Sequence, residues 1–151
     1  MSDILVDTNV LVYSFDPRDR TKQAQAREVI DLLLSNARAV LSVQCLTEFF
    51  RIVRWRLPEP LPPGNALLEV SRFSRACPVY SLTLPVVMEA IQASNSYQMS
   101  IWDALIWAIA KVNQISYILT EDADHGRLLD GIHYLNPFDA DFDIALLEGV
   151  A

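Results

Sequence analysis

Residues 100–113, SIWDALIWAIAKVN, constrain the fold of this chain more than any other stretch. Ser100 is a favourable N-cap, and nothing before Lys111 breaks a helix. Apolar side chains surround the predicted helix, which is typical of a helix buried in the middle of a domain. The run is too short to span a membrane. We therefore expect a folded domain built around this helix.

Asp103 is a carboxylate in the first turn of this apolar helix. If the helix is buried all round, that carboxylate needs a partner, and the helix offers no cation near it. Two interpretations stay open. Asp103 completes a capping box with Ser100, in which the carboxylate bonds back to the helix start. Alternatively, Asp103 is a metal ligand that points into a cleft.

Short apolar strands alternate with helices along the whole chain. The predicted strands are 4–6, 39–41, 78–82, 116–120 and 132–135. Besides the central helix, the predicted helices are 10–15, 21–38, 43–57, 65–75, 84–95 and 127–130, with candidate N-caps at Ser42, Asn65 and Thr83. This alternation predicts an α/β fold, in which a parallel sheet is covered by helices on both faces.

Four acidic residues fall where such a sheet would bring them together. Asp7 and Asp122 follow the first and fourth predicted strands, and parallel sheets bind ligands at the carboxyl ends of their strands. Glu48 and Asp103 lie in the first two turns of helices that begin at the same edge. These positions predict a carboxylate cluster. Oxygen ligands without His or Cys suit Mg²⁺ or Mn²⁺.

Each of these acids also has a purely structural interpretation. Asp7, Asp122 and Asp103 could be helix caps or turn residues. Glu48 could form a surface pair with Arg51, one turn further along its helix. Other site chemistries find no support, because the chain contains no G-x-G-x-x-G, P-loop or G-x-S-x-G motif and its two histidines lack zinc-ligand spacing.

The formal net charge of −7 is unlike that of a typical nucleic-acid-binding protein. Contacts with nucleic acid must therefore come from metal ions or from local clusters of basic side chains. The candidate cations are Arg18, Arg20, Lys22, Arg27, Arg51, Arg54 and Arg56. Arg18, Arg20, Lys22 and Arg27 form a first basic cluster, and Arg51, Arg54 and Arg56 form a second one. Trp55 lies within the second basic cluster, where it either stacks on an unpaired base or serves as a core or dimer contact.

Length and composition indicate the general class of protein. A chain of 151 residues that is 52% hydrophobic is large enough for one domain with a substantial core. The N-terminus lacks a basic region typical of a signal peptide, and no apolar run is long enough to cross a membrane. Only two cysteines are present, which favours a reducing compartment. We expect a cytoplasmic protein without membrane association.

The segments that carry the acids resemble the PIN-domain family, most closely its VapC-type toxins. These segments are LVDTNVLVYSFD at 5–16, LSVQCLTEFF at 41–50, MSIWDALIWAIA at 99–110 and ILTEDADHG at 118–126, and IHYLNPF at 132–138 resembles the end of many members. The resemblance implies an α/β/α sandwich with a central, mostly parallel β-sheet. It also implies a metal-dependent endoribonuclease that hydrolyses RNA phosphodiester bonds with Mg²⁺ or Mn²⁺.

Carried over by position, the resemblance implies a specific set of site residues. The implied catalytic and metal-binding residues are Asp7, Glu48, Asp103 and Asp122. Asp124 is a further candidate ligand, since Asp122 and Asp124 compete for one role. Thr8, Asn9 and Thr120 would be polar groups that surround the ligands.

The resemblance further implies partners: an RNA substrate, a small antitoxin protein and a second copy of the chain in a homodimer. Apolar helices around 67–73 and 85–91 are candidate dimer contacts. Residues 1–138 would form the nuclease domain, and residues 139–151 an acidic C-terminal tail of the same domain. The alternatives are a housekeeping PIN nuclease without an antitoxin, or a non-catalytic signalling or interaction module with an acidic pocket.

Overall fold

A six-stranded β-sheet forms the centre of the computed structural model, which describes residues 2–148. The strands are β1 (Ile4–Val6), β2 (Ala39–Ser42), β3 (Val79–Tyr80), β4 (Tyr117–Leu119), β5 (Leu128–Leu129) and β6 (Ile132–Leu135). Their order is β3-β2-β1-β4-β6-β5, and every pairing is parallel except that of β5 with β6. The predicted parallel sheet is therefore confirmed.

Six α-helices connect and cover the strands within the described residues. They are α1 (Thr8–Tyr13), α2 (Arg20–Ser35), α3 (Val43–Trp55), α4 (Pro63–Ala76), α5 (Leu84–Tyr97) and α6 (Ile101–Val112). The predicted N-caps Ser42, Thr83 and Ser100 each accept a hydrogen bond from a backbone amide of the helix that follows. None of the helices described here is long and apolar enough to cross a membrane.

The side chains of β1 divide between two hydrophobic layers. Ile4 and Val6 face a layer formed with α1 to α4, which includes the fully buried Phe49. Leu5 faces the opposite layer, formed with α5 and α6, which includes the buried Trp107. Successive residues of a strand point to opposite faces, so a continuous apolar strand is buried on both. The result is the predicted α/β/α sandwich.

The predicted helix at 127–130 is wrong, because this segment is strand β5 and a tight turn. Leu128 and Leu129 pair antiparallel with β6. Asp130 and Gly131 both have positive φ, at 47° and 82°. An Asp-Gly pair in that conformation is the preferred two-residue hairpin turn. The turn closes a hairpin where the sequence predicts a short helix.

Two details of the helices also differ from expectation. Asn65 is not the cap of α4, because the helix begins at Pro63 and has no side-chain cap. Proline is favoured in the first turn, where its missing N–H has no helical partner to lose. Helix α6 is buried only from Ala104 to Ala110, whereas Trp102 and Asp103 are exposed. The expectation of a helix buried on every side is wrong at its first turn.

The acidic tail packs back onto the domain as far as it is described. A 3₁₀ helix at Ile144–Leu147 buries Leu147 completely. Asn36 Nδ2 and Arg38 Nη1 donate hydrogen bonds of 3.0 and 2.8 Å to the carbonyl oxygen of Leu147. Residues 149–151 of the predicted tail lie outside the described residues.

Candidate active site

Asp7 stands where β1 ends and α1 begins. Its backbone amide donates to the carbonyl of Leu119 at 2.9 Å, which holds the ends of β1 and β4 together. Asp7 is also the N-cap of α1, because its Oδ1 accepts from the amide of Thr8 at 2.7 Å. The other oxygen, Oδ2, accepts from the hydroxyl of Thr120 at 2.8 Å. Both carboxylate oxygens are therefore held in place, one by the first residue of α1 and the other by the residue that follows β4.

Asn9 links Asp7 with Asp122. Its Nδ2 lies 3.4 Å from Asp7 Oδ2, 3.2 Å from Asp122 Oδ2 and 3.1 Å from Thr120 Oγ1. The Thr120 hydroxyl also accepts from the amide of Asp122 at 3.1 Å. Two carboxylates from neighbouring strand ends thus meet around one amide nitrogen, as the parallel-sheet interpretation predicted.

Glu48 approaches this pair from the second turn of α3. Its Oε2 accepts from the hydroxyl of Thr8 at 3.3 Å, and its Oε1 accepts from Gln44 Nε2 at 3.4 Å. Within residues 2–148, Glu48 forms no ion pair with Arg51. The surface-pair interpretation of Glu48 is therefore wrong, and the side chain faces the residue next to Asp7.

Asp103 reaches the same place from the start of α6. A cavity of about 200 Å³ is lined by Asp7, Asp103 and Asp122 together. The amide of Asp103 donates to Ser100 Oγ at 3.1 Å, so Ser100 caps the helix. Among the described residues, the Asp103 carboxylate makes no return bond to the helix start. Only the serine half of the predicted capping box is present, and the carboxylate remains at the cavity.

A second cavity, of about 290 Å³, lies beside the first and is lined by Asp7, Glu48 and Asp122. Asp7 and Asp122 are thus common to both cavities, with Asp103 on one side and Glu48 on the other. Asp124 lines neither of them, although it lines a third cavity together with Asp122. Four of the five predicted ligands therefore line two neighbouring cavities at the strand ends, and the fifth, Asp124, lines neither.

The crowding of carboxylates changes their acidity. Burial raises the pKa of Asp7 from its ordinary 3.8 to about 6; hydrogen bonds from Thr120 and Thr8 oppose the rise, while repulsion from Asp122 and Glu48 adds to it. The pKa of Asp122 is also raised, first by burial and then by the charge of Asp103. A cation between these groups would relieve the repulsion and replace the lost solvation.

The donor set fits a hard divalent cation that keeps much of its water. In the described part of the chain, no three His, Cys, Asp or Glu side chains lie close enough together to bind one ion. Mg²⁺ commonly binds proteins through one or two carboxylates and retains several water ligands. Asp7 and Asp122 can provide such a pair. Cys45 is not a competing soft ligand, because burial raises the pKa of its thiol to about 12.

Several of the predicted RNA-binding cations are bound by the protein itself. Arg18 forms an ion pair with Asp16 at 2.7 Å, and Lys22 forms one with Glu121 at 2.8 Å. Arg27 Nε donates to the carbonyl of Ser14 at 2.9 Å. These side chains stabilise loops around α1 and are less available to a substrate.

The second basic cluster is more open. Trp55 is 59% exposed, which excludes the interpretation of this side chain as core. Its ring lies 5.5 Å from the guanidinium carbon of Arg54, and Phe50 packs edge-on against it at 5.6 Å.

Arg127 and Tyr134 line the cavity with the carboxylates, and sequence reasoning missed both. They are brought there by the β5–β6 hairpin, so the misassigned helix at 127–130 concealed them. The Asp130-Gly131 pair predicts a two-residue hairpin turn. Recognising that hairpin would have placed Arg127 and Tyr134 near the carboxyl edge of the sheet.

Fold and site together define an α/β/α protein with an acidic, all-oxygen site at the carboxyl edge of its sheet. The chain belongs to the PIN-domain family, whose model matches residues 4–130. The resemblance deduced from the sequence motifs is therefore confirmed. No curated protein matches the chain in sequence.

Solved structures share the fold at low sequence identity. A toxin–antitoxin complex from Klebsiella pneumoniae is similar with a TM-score of 0.69 and 14% identity, over 91% of this chain and 99% of that chain. DNA-bound VapBC from Salmonella typhimurium has a TM-score of 0.64 and 17% identity, over 89% of this chain and 97% of that chain. VapC20 of Mycobacterium tuberculosis, a sarcin–ricin-loop-cleaving toxin, has a TM-score of 0.60 and 17% identity, over 77% and 87%.

Proposed function

We propose that this protein is a metal-dependent endoribonuclease and the toxin of a toxin–antitoxin pair. One observation carries the proposal: the carboxylates of Asp7 and Asp122 meet around Asn9 Nδ2 at the ends of the two central strands. Membership of the PIN-domain family and the fold shared with toxin structures support it.

We assign Asp7, Glu48, Asp103 and Asp122 as the residues that hold Mg²⁺ or Mn²⁺, with Asp7 and Asp122 as its direct ligands and Glu48 and Asp103 in contact with its water ligands. Asp122 takes the fourth place in preference to Asp124, because Asp122 lines both cavities and Asp124 lines neither. When held by these residues, a divalent cation would activate a water for attack on phosphorus and would stabilise the leaving oxygen.

The polar neighbours of the acids orient them for this role. The amide of Thr8 and the hydroxyl of Thr120 each bond one oxygen of Asp7, which fixes the orientation of this carboxylate at the cavity. Asn9 holds Asp122 against Asp7, and the hydroxyl of Thr8 holds Glu48. Outer partners of this kind fix ligand orientation and tune metal affinity.

The proposal is tested by incubating the protein with defined RNAs in Mg²⁺, in Mn²⁺ and in EDTA. We expect internal cleavage with either metal and none in EDTA. Asp122→Asn should lower the rate by orders of magnitude, whereas Asp124→Asn should retain most of it. Asp31→Asn, on the exposed face of α2, is the matched charge control. Cleavage that persists in EDTA, or that survives Asp122→Asn, would contradict the assigned site.

The toxin role is tested in cells. Expression of the chain alone should arrest growth, and co-expression with a small open reading frame directly upstream of the gene should restore it. An antitoxin that blocks the site would do so most simply with an Arg side chain, which pairs bidentately with carboxylates. RNA cleavage in vitro without any growth effect would instead indicate a housekeeping nuclease.

We also propose that the protein is a homodimer. Helices α4 and α5 leave large apolar side chains exposed, among them Leu67 at 63%, Leu84 at 72% and Met88 at 54%. Light scattering should give twice the 17.0 kDa chain mass at micromolar concentration. A particle of the mass of one chain would overturn this part of the proposal.

A further inference from the structure

The cavity that holds Asp7, Asp103 and Asp122 is lined by one basic side chain, Arg127. Arg127 is exposed, and within residues 2–148 it takes part in no ion pair. By contrast, Arg18 lines the neighbouring cavity but is bound to Asp16. Arg127 is therefore an uncommitted cation beside three carboxylates.

The backbone around Arg127 is fixed by the hairpin. The amide of Arg127 donates to the carbonyl of Asp124 at 3.1 Å, and the carbonyl of Arg127 accepts from the amide of Tyr134 at 2.8 Å. On the preceding residue, the amide of Gly126 donates to the carbonyl of Tyr134 at 2.9 Å. Gly126 has a φ of +84°, a backbone conformation that residues with a Cβ atom rarely adopt. The position of Arg127 at the cavity is thus set by the fold.

Tyr134 lies beside Arg127 and lines the same cavity. Its ring centre is 5.9 Å from the guanidinium carbon of Arg127, within range of a cation–π contact. Tyr134 is 4% exposed, and its hydroxyl has no hydrogen-bond partner among the described residues. A buried hydroxyl without a partner is destabilising, so such a group in a native protein calls for an explanation.

We propose that Arg127 and Tyr134 form a phosphate-binding pair for the RNA substrate: Arg127 binds a phosphodiester next to the bond that is cut, and the Tyr134 hydroxyl donates to the same phosphate. The inference rests on the proposed nuclease function and adds to it. A phosphate that enters among three carboxylates needs positive charge besides a metal ion. The guanidinium fork of Arg matches phosphate oxygens bidentately. Tyr134 lines this cavity with a buried hydroxyl that lacks an acceptor, which a phosphate oxygen would supply.

Steady-state cleavage of single-stranded RNA in Mn²⁺ tests this pair. Arg127→Gln should lower kcat/KM by about tenfold or more, as expected for the loss of a charge-assisted hydrogen bond. Arg127→Lys should recover only part of the loss, because an ammonium keeps the charge without the fork. Arg75→Gln removes an exposed arginine of α4 that does not line the cavity, and it should leave kcat/KM unchanged.

The variant Tyr134→Phe separates a role of the Tyr134 hydroxyl in RNA binding from a role in the stability of the fold. The change removes only the hydroxyl that has no partner, so the melting temperature should stay the same or rise. We expect kcat/KM to fall severalfold in the same variant. If Tyr134→Phe melts no lower and cleaves RNA like the wild type, the assignment of its hydroxyl is overturned.

Binding measured without metal keeps this inference separate from the nuclease proposal. Fluorescence anisotropy of a labelled single-stranded RNA in EDTA should show weaker binding by Arg127→Gln, with a salt slope reduced by about 0.7 for the lost phosphate contact. If the wild type cleaves RNA and Arg127→Gln matches it, the pair is wrong and the nuclease proposal stands.

If the wild type cleaves no RNA in either metal, the nuclease proposal fails. If the wild type and Arg127→Gln also bind RNA equally well, the proposed phosphate-binding pair of Arg127 and Tyr134 is overturned too. A lower melting temperature of Arg127→Gln in EDTA, without weaker RNA binding, would make Arg127 an internal counter-ion and also overturn it.

Discussion

Asp7, which follows a strand, and Asp103, which lies at the start of a helix, experience different environments at the same edge of the sheet. Asp7 lies at the end of β1, with one oxygen bonded by the amide of Thr8 and the other by the hydroxyl of Thr120. Asp103 lies in the first turn of α6, is exposed, and within the described residues its carboxylate accepts no hydrogen bond. Hydrogen bonds and electrostatic repulsion therefore constrain the carboxylate of Asp7 more than that of Asp103.

Because Asp7 is more strongly desolvated and repelled than Asp103, neutralising Asp7 should change the free energy of unfolding more than neutralising Asp103. Burial and like charges raise the pKa of Asp7 to about 6, so ionised Asp7 opposes folding at neutral pH. An exposed carboxylate such as Asp103 is well solvated, and its interactions with other charges are screened. Three substitutions test the contrast, taken in decreasing order of their expected effect on the free energy of unfolding without metal.

Asp7→Asn should have the largest effect. The pKa of Asp7 is higher in the folded state, about 6, than its ordinary 3.8, so the wild type loses stability as pH rises between these values. At pH 7 the variant should be more stable in EDTA by up to about 3 kcal/mol, since one pKa unit corresponds to about 1.4 kcal/mol. At pH 4 the carboxyl is protonated in the folded state and partly protonated in the unfolded state, so most of the difference should be gone, and below about pH 3 it should vanish.

Urea unfolding of both proteins in EDTA, at pH 4 and pH 7, measures this difference. The same variant should lose RNA cleavage by orders of magnitude and gain little stability from Mn²⁺. If Asp7→Asn is less stable than the wild type at pH 7 and at pH 4 alike, the hydrogen bonds to Asp7 outweigh its repulsion and the contrast with Asp103 disappears.

Ser100→Ala should have an intermediate effect of the opposite sign. Ser100 Oγ accepts from the amide of Asp103 at 3.1 Å, and loss of such a cap costs about 1 kcal/mol. Because this cap holds the turn that carries Asp103, the stabilisation by Mn²⁺ should also decrease. Thr83→Ala removes the corresponding cap of α5 and is the matched control. An equal decrease of the Mn²⁺ effect in both variants would mean that the cap does not position Asp103.

Asp103→Asn should have the smallest effect on stability without metal, a few tenths of a kcal/mol at most, because the exposed charge is screened. Its effects with metal should nevertheless be large. The stabilisation by Mn²⁺ should decrease, since that stabilisation scales with affinity for the folded state, and RNA cleavage should fall by orders of magnitude. A variant that melts like the wild type, gains as much from Mn²⁺ and cleaves RNA would leave Asp103 without a role in the site.

Local sequence signals predicted most of the fold. Residues such as Ile4, Leu5 and Val6 read as a strand buried on both faces, and they lie in two opposite hydrophobic layers. The caps Ser42 and Thr83 were recognisable because a cap bonds to an amide only a few residues away. The wrong prediction of a helix at 127–130 also has a local cause, because the Asp130-Gly131 pair is the loop of a hairpin and not the end of a helix.

The sequence alone determined that acids would collect at one edge of a parallel sheet, because strands and helix starts alternate in a regular order along the chain. Only the tertiary structure decided how they meet. Asn9 joins Asp7 to Asp122 because β1 pairs with β4, across a sequence separation of 113 residues. In the same way, Arg127 and Tyr134 reach the carboxylates because β6 pairs with β4. Such contacts depend on strand order and register, which residues close together in the chain cannot encode.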